Sequence, residues 1–384
     1  MGKLSHNRNG ILIIGLVLLI SFYFVFAIQN FQNPNNAKAS ITTGATHDMA
    51  DSGQYNIRFV GAEGDWLGRC MNTYIIDLNL DGKNDLIIGA ERADNNGVDS
   101  GSVFIIYNDL LSSFSGTGNT VDLSDPKNFN IRIDGAVAND WLGHAHIIAA
   151  DFNNNSKPDI LARASQADPG GENDPGTLYM IYDQIFGSLS GTGNIIKLSD
   201  PNTYNYLFYA RAGDKVGGYS NYGDFDNDGK NDLVFGGSYP DYNGKHNSGA
   251  VWVILNPLLN TFSGEVNVNL DANFSSRFEG PDADKIFSDP DINVADVNAD
   301  GADDIMIGSI SAQVDGRVKS GAIFVIYSTL FAGLPGPGNI FNMATSASYN
   351  LVFYGAAYKA VSLPALINGD LDGDGKIDLM FSGW

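Results

Sequence analysis

Five times in its 384 residues this chain repeats one acidic nonapeptide. The copies are Asp77–Asp85, Asp151–Asp159, Asp224–Asp232, Asp296–Asp304 and Asp370–Asp378, with first aspartates 74, 73, 72 and 74 residues apart. Two glycine markers keep the same phase. Gly101, Gly176, Gly249 and Gly321 follow the first aspartate by 24 or 25 residues, and Gly116, Gly191, Gly264 and Gly336 lie 15 further on. A fixed period of this length restricts the chain to an array of like units, each burying its apolar face against its neighbours.

The unit reads as strands. Each acidic motif runs into a short β-rich segment such as Leu86–Gly89 or Leu233–Gly236, and a second run follows the phased glycine, as in Ser102–Tyr107 and Ala250–Leu255. A third run comes late in the repeat (Asn130–Asp134), and a fourth precedes the motif (Met71–Ile76). Run length and β-branched content favour strand over helix, and no segment is a convincing amphipathic helix. Four strands per repeat of about 73 residues, with 45 glycines for turns, predict an all-β fold: a β-propeller of four-stranded antiparallel blades. A parallel β-helix has shorter coils. The fifth repeat ends one strand after its motif, at Trp384, so its blade is incomplete and the chain reads as a fragment of a longer propeller protein. The early segment Asn56–Val60 matches a late strand and could close the ring against the C-terminal blade.

The nonapeptide has the pattern D-x-[DN]-x-[DN]-G-x-x-D. Side chains at positions 1, 3 and 5 of a tight loop converge, a glycine at 6 permits the sharp turn, the carbonyl at 7 turns inward and the aspartate at 9 completes an oxygen shell. Such hard ligands suit Ca²⁺. The expected ligand positions are Asp77, Asn79, Asp81, Lys83 and Asp85; Asp151, Asn153, Asn155, Lys157 and Asp159; Asp224, Asp226, Asp228, Lys230 and Asp232; Asp296, Asn298, Asp300, Ala302 and Asp304; and Asp370, Asp372, Asp374, Lys376 and Asp378. The residue at position 7 contributes its main chain. An EF-hand would need Glu at position 12, where Ile88, Phe235 and Phe381 stand. Polar turns use the same residues, but carboxylates crowded five times in register repel one another without a cation. Up to five calcium ions are expected. Acid content ranks the third and fifth loops strongest and the second weakest, because the second has only two acids and Ser156 in place of the glycine.

At these residues the chain resembles the FG-GAP repeats of integrin alpha-chain propellers, which also occur in glycosylphosphatidylinositol-specific phospholipase D and in bacterial surface proteins. The resemblance is carried by Phe59-Val-Gly61, Gly64-Asp65-Trp66-Leu67-Gly68, the first acidic loop and Asp85-Leu-Ile-Ile-Gly89-Ala90, then by Asn139–Gly143, Gly213–Gly217 and Gly236–Ser238. It covers roughly residues 56–384. Repeat four departs at Ala283–Phe287 and repeat five at Tyr358–Ala360, and an integrin propeller has seven blades. The resemblance implies calcium loops on one propeller face and partner binding on the other. Integrin-type ligand recognition does not carry over, since no Arg-Gly-Asp sequence is present.

The ends and the composition give a setting. Lys3 and Arg8 precede an uncharged apolar run, Ile11–Ile28, followed by Pro34 and Ala37-Lys38-Ala39. Residues 1–39 read as a cleaved signal peptide or, alternatively, a single N-terminal membrane anchor, with 40–55 as a linker. Either places the bulk of the chain in a secreted, periplasmic or cell-surface setting. The whole chain carries a net charge of −22; residues 1–39 hold three bases and no acid, which leaves −25 for the rest. That excludes nucleic acid as the main partner, and membrane contact would come only through an uncleaved N-terminus. The lone Cys70 excludes an intrachain disulfide and reads as a buried apolar residue.

No catalytic motif of the H-E-x-x-H, G-x-S-x-G or phosphate-loop type occurs. His144 and His146 could share a strand face and read as a packed or solvated pair. Trp66 and Trp141 hold equivalent positions in two repeats, which argues for packing between repeats rather than for a sugar site. The expected function is a non-catalytic, calcium-binding adhesion module for an extracellular protein or glycan. The alternative is the accessory propeller of a secreted hydrolase.

Overall fold

The computed structural model describes residues 50–380 apart from 70–71, 172, 174, 283–286, 310–311, 314–315, 318–319 and 356–366, with the side chains of 170, 288–291 and 367 also set aside. The leader or anchor at 1–39, most of the linker, Cys70, the departures at 283–286 and 358–360, and the last residues to Trp384 lie outside the described residues.

The strands are β1 (Ile57–Val60), then β2 (Thr73–Ile76), β3 (Asp85–Ala90), β4 (Ser102–Ile106), β5 (Asn119–Asp122) and β6 (Ile131–Asp134) in the first repeat. The second holds β7 (Leu142–Ala150), β8 (Asp159–Ala164), β9 (Thr177–Ile181), β10 (Asn194–Lys197) and β11 (Tyr206–Tyr209). The third holds β12 (Val216–Gly223), β13 (Asp232–Gly237), β14 (Ala250–Ile254), β15 (Gly264–Asn267) and β16 (Ser276–Glu279). The fourth holds β17 (Phe287–Ala295), β18 (Asp304–Ser309), β19 (Ala322–Ile326), β20 (Asn339–Asn342) and β21 (Leu351–Tyr354), and β22 (Ile367–Gly369) and β23 (Asp378–Met380) follow. Short helices α1 (Asn108–Ser113), α2 (Asp183–Phe186) and α3 (Asn256–Leu259) follow the third strand of the first three repeats.

The strands before and after each acidic loop pair antiparallel, and the next two extend the sheet: β2–β3–β4–β6, β7–β8–β9–β11, β12–β13–β14–β16 and β17–β18–β19–β21. The expectation of four strands per repeat needs correcting, because each repeat also gives a strand away. β5 pairs parallel with β1, β10 with β6, β15 with β11 and β20 with β16, so each late strand is covered by a segment of the following repeat. The sequence concealed these strands because they bury almost nothing: of Asn119–Asp122 only Val121 is buried, and of Asn194–Lys197 only Ile196. The expected closure by residues 56–60 also differs. β1 pairs with β5, and among the described residues no pairing joins it to the last repeat.

The sheets stack face to face. Both faces of the central strands are buried, which is why they read as unbroken apolar runs rather than as alternating ones. Ile87, Val103 and Ile133 meet Ile147, Ile160 and Tyr179 of the second sheet, while their neighbours Leu86, Ile88 and Phe104 face Phe59 and Val121. Leu161, Met180 and Phe208 meet Phe235 and Trp252, and Val234 and Val251 meet Ile305 and Phe324. The strands before the loops converge: β2 touches β7, β7 touches β12 and β12 touches β17. Tyr74 and Tyr222, from the first and third sheets, share a hydrogen bond of 3.3 Å.

The first phased glycine has a steric cause. Gly101 sits at φ +76°, where a Cβ would come within 2.2 Å of the Leu142 nitrogen of the next repeat, and Gly249 meets Phe287 in the same way. These glycines let adjacent units approach backbone to backbone.

Candidate metal-binding loops and a second polar cluster

Each acidic loop joins the first two strands of its sheet, and its shape is set by two left-handed residues. Positions 4 and 6 have positive φ throughout: Leu80 and Gly82, Asn154 and Ser156, Asn227 and Gly229, Ala299 and Gly301, Gly373 and Gly375. A leucine or alanine there costs about 1–2 kcal/mol, so the bend is enforced by other contacts. The position-1 carboxylate supplies them by accepting backbone N–H groups on both oxygens. In the third loop Asp224 receives those of Asp228 and Gly229 at 2.9 and 2.8 Å, and in the first Asp77 receives those of Asp81 and Gly82 at 3.0 and 2.8 Å.

The position-9 aspartate ties the loop to its sheet. Asp232 Oδ2 accepts from the Phe225 N–H at 2.8 Å and its Oδ1 from the Asn256 N–H, at the start of α3, at 2.7 Å. Asp85, Asp159 and Asp304 do the same with Leu78 and Asn108, Phe152 and Asp183, and Val297 and Ser328. These carboxyls are buried, and loss of hydration raises their pKa values: Asp85 and Asp304 to about 6, Asp159 to about 7 and Asp232 to about 8. A bound cation would remove that penalty.

The five loops are unequal. Carboxylate oxygens of Asp224, Asp226 and Asp232 lie within 4.8 Å of one another, as do those of Asp370, Asp372 and Asp374, so these two clusters can hold a metal ion. In the third, Asp226 Oδ1 is buried without a hydrogen-bond partner, and burial together with Asp228 and Asp224 raises its pKa. An orphaned oxygen beside two further carboxylates fits a hard cation. In the first and fourth loops, position 3 is an amide: Asn79 and Asn298 accept from Asp81 and Asp300 at 3.0 and 2.8 Å. Position 7 keeps its N–H on the residue at 5, from Lys83, Lys157, Lys230, Ala302 and Lys376 alike.

The second loop is closed on itself. Asn153 Nδ2 donates to Asp159 at 3.0 Å, Asn155 Nδ2 donates to Asp183 at 2.5 Å, and the Lys157 ammonium lies 3.4 Å from Asp183. One amide thus occupies the position-9 carboxylate, and the other amide and the ammonium go to Asp183, where the first, third and fourth repeats have Asn108, Asn256 and Ser328.

A second cluster lies at the other ends of the same strands, and most of it escaped the sequence reading. Arg92 lies 3.9 Å from the Trp66 ring and 4.2 Å from that of Trp141, and Arg69 also lies 3.9 Å from Trp66. Buried Glu91 receives Arg69 at 3.0 Å and has His144 Nε2 at 3.6 Å, while Asp99 pairs with Arg92 at 3.3 Å. Arg163 Nη1 meets His144 Nδ1 at 3.3 Å, and Arg163 Nε donates to the Val216 carbonyl at 3.0 Å. Burial raises the Glu91 pKa to about 7. Burial and the surrounding cations lower that of His144 to about 4, and burial with Arg163 lowers that of His146 to about 4. Both imidazoles are neutral near pH 7. They flank Ala145, at φ +64°, where the β7–β8 register shifts.

The expected packing of the two tryptophans between repeats is therefore refined. Each indole holds an arginine, and each residue is forced into left-handed backbone, with φ of 54° at Trp66 and 57° at Trp141. A signal for this cluster was present in the repeat alignment. Arg163 occupies the position held by Gly89, Gly236 and Gly308 in the first, third and fourth repeats, a position where a Cβ on Gly89 would lie 2.4 Å from a carbonyl.

No family model matches the chain. In sequence it is similar to the phosphatidylinositol-glycan-specific phospholipase D of Rattus norvegicus, 31% identical over 171 residues, which is 44% of this chain and 18% of that protein. The chain thus spans less than a fifth of the relative it matches. Among solved structures it is similar to the exotype rhamnogalacturonan lyase YesX, with a TM-score of 0.37 at 13% identity over 80% of this chain and 44% of that one. It is also similar to the Bacillus licheniformis rhamnogalacturonan lyase PL11, with a TM-score of 0.35 at 13% identity, covering 80% and 46%. These proteins are enzymes by name, and the expectation of a chain with no part in catalysis is corrected accordingly. What the chain is similar to is a phospholipase D and two lyases, within an all-β architecture of stacked four- and five-stranded sheets.

Proposed function

We propose that this chain is a calcium-binding β-propeller array of the FG-GAP type, serving as the accessory region of a larger exported hydrolase. The observation that carries it is the third loop, where three carboxylates converge around the orphaned Asp226 oxygen. Asp224, Asp226, Asp228 and Asp232 with the Lys230 carbonyl would hold the ion there, and Asp370, Asp372, Asp374 and Asp378 with the Lys376 carbonyl in the fifth loop. Calcium in this role neutralises carboxylates that otherwise repel, and so locks the junction of the first two strands of each blade.

Three features support the propeller reading. The sheets repeat at a fixed period, the strands before the loops converge, and each sheet is laced to the next by a donated strand. The enzyme setting rests on the sequence match to the phospholipase, of which the matched segment is a minor part. The apolar run after Lys3 and Arg8 supports export to a calcium-rich compartment. Among the described residues no helix is long and apolar enough to cross a membrane.

The test is direct. Purified chain, dialysed and assayed for metal by atomic spectroscopy, should retain calcium, and it should melt at a higher temperature in millimolar CaCl₂ than in EDTA. Identical melting with no ion retained would refute the reading.

A further inference from the structure

We infer that the third acidic loop is a site shared by two repeats, in which Asp303 of the fourth loop is the positioning residue that holds Asp224 ready for the ion. This rests on the calcium reading above and goes beyond it, by making binding at one loop depend on the neighbouring repeat.

The main chain of Asp224, the first residue of the third loop, is gripped from the fourth loop on both sides. Its N–H donates to Asp303 Oδ2 at 3.0 Å, and its carbonyl accepts the Asp303 N–H at 3.0 Å. The two residues are 79 positions apart in the chain. The Asp224 carboxylate closes the loop on Asp228 and Gly229 and converges with those of Asp226 and Asp232. Holding the backbone on either side of its Cα fixes the direction of the Cα–Cβ bond, and with it the place the carboxylate can reach. Groups that hold a metal's ligands in this way matter to affinity, and losing one typically costs about 10–100-fold.

The chain makes room for this contact. A Cβ on Gly223, the residue before Asp224, would lie 2.7 Å from Asp303 Oδ2 and 2.7 Å from Val294 Cγ1. The first, second and fourth loops are preceded by Ile76, Ala150 and Ala295 instead.

Position 8, where Asp303 stands, separates scaffold from charge. In the third loop it is Asn231, whose Nδ2 donates to the Asp151 carbonyl of the second loop at 2.9 Å. A reach from position 8 to position 1 of the preceding loop is therefore part of how these sheets stack. The remaining residues at position 8 are Asn84, Pro158 and Ile377. Proline has no N–H to give, and Ile377 packs with Val297 on an apolar cluster. The fourth loop alone brings a carboxylate to the junction. Asp224 and Asp296, the first acids of the third and fourth loops, both act on that carboxylate as like charges. Such charges repel until a cation is present. An amide thus holds the acid-poor second loop, and a carboxylate holds the acid-rich third.

The experiment uses the full chain, stripped with chelator and titrated with calcium in a calorimeter, beside melting curves in EDTA. Asp303→Ala should weaken one site about tenfold or more. Gly223→Ala reaches the same contact from the other side and should weaken that site too. Asp303→Asn keeps an oxygen for the Asp224 N–H and loses the charge, so it should bind within about threefold of the native chain. Once Asp226→Ala and Asp228→Ala have removed the third loop, adding Asp303→Ala should leave the remaining binding unchanged. A merely structural role would lower melting in EDTA and leave the isotherm alone. Melting in EDTA also identifies an alanine variant that has unfolded, in which case the other decides. Native affinity in a folded alanine variant, an asparagine variant as weak as the alanine one, or a further loss after the third loop is gone would each overturn the inference and leave the calcium reading standing. A native chain that takes up no calcium overturns both.

Discussion

The two ends of strand β3 make opposite use of a buried carboxylate. At one end Asp85 closes an acidic loop and is held by backbone N–H groups of Leu78 and Asn108. Some 20 Å away, at about 3.3 Å per residue, Glu91 sits among arginines and a neutral histidine. Both are raised by burial, to about 6 and about 7. The Asp85 end is built five times over and the Glu91 end once. What repeats with the period belongs to the construction of the array, because every junction needs it. What breaks the period has to be explained by something particular to that place. The crowding also differs in sign: acids gather at the loop end, and cations gather around Glu91 at the other.

That contrast is most exposed to chelation. If the loops hold calcium and the cluster does not, EDTA should lower the melting temperature by on the order of 10 °C. Each site filled at about a thousand times its Kd contributes about 4 kcal/mol, and a kcal/mol is about 2–4 °C in a domain somewhat smaller than this chain. An unchanged melting temperature would break the comparison. Next in size is Asp226→Ala with Asp228→Ala, which should remove one calcium and about 2–4 kcal/mol of calcium-dependent stability; unchanged stoichiometry by metal analysis would remove the third loop from the account.

The second loop sharpens the same point from the other side. Its Asn153 and Asn155 amides and the Lys157 ammonium satisfy Asp159 and Asp183 internally. Asn153→Asp with Asn155→Asp and Ser156→Gly replaces donors with acceptors and restores the glycine of the other loops. Stoichiometry should rise by one. A failure to gain an ion would show that the pattern of acids is insufficient for binding in this array.

How much of this was legible in the sequence follows from burial and from period. The strands after the loops were legible because both of their faces are buried, so that Leu86–Gly89 and Leu233–Gly236 stand out as apolar runs. The donated strands were not, because each buries about one side chain and their partner lies some 60 residues away. Counting acids singles out the third and fifth loops, and among the described residues these are the loops with three carboxylates within 4.8 Å of one another. The second cluster was hidden because its members come from five places in the chain. Only one of them, Arg163, announces itself, and it does so as a missing glycine.

The smallest expected effect concerns the charge on Glu91. Facing it are Arg69, Arg92, Arg163 and His144. Its folded pKa, about 7, lies above the ordinary carboxyl value of 4.5, so it is protonated at pH 5.5 and charged at pH 8. His144, lowered to about 4, stays neutral across that window, and the arginines remain charged. The folded state thus holds the Glu91 proton more tightly than the unfolded chain does. The stability this proton contributes is present at low pH and is lost as pH rises through about 7. At saturating calcium, stability to denaturant should fall by about 1–2 kcal/mol from pH 5.5 to pH 8. In Glu91→Gln that part of the slope should flatten while calcium stoichiometry stays the same. A slope that survives the substitution would mean that burial of Glu91 is not what makes this end of the strand sensitive to pH.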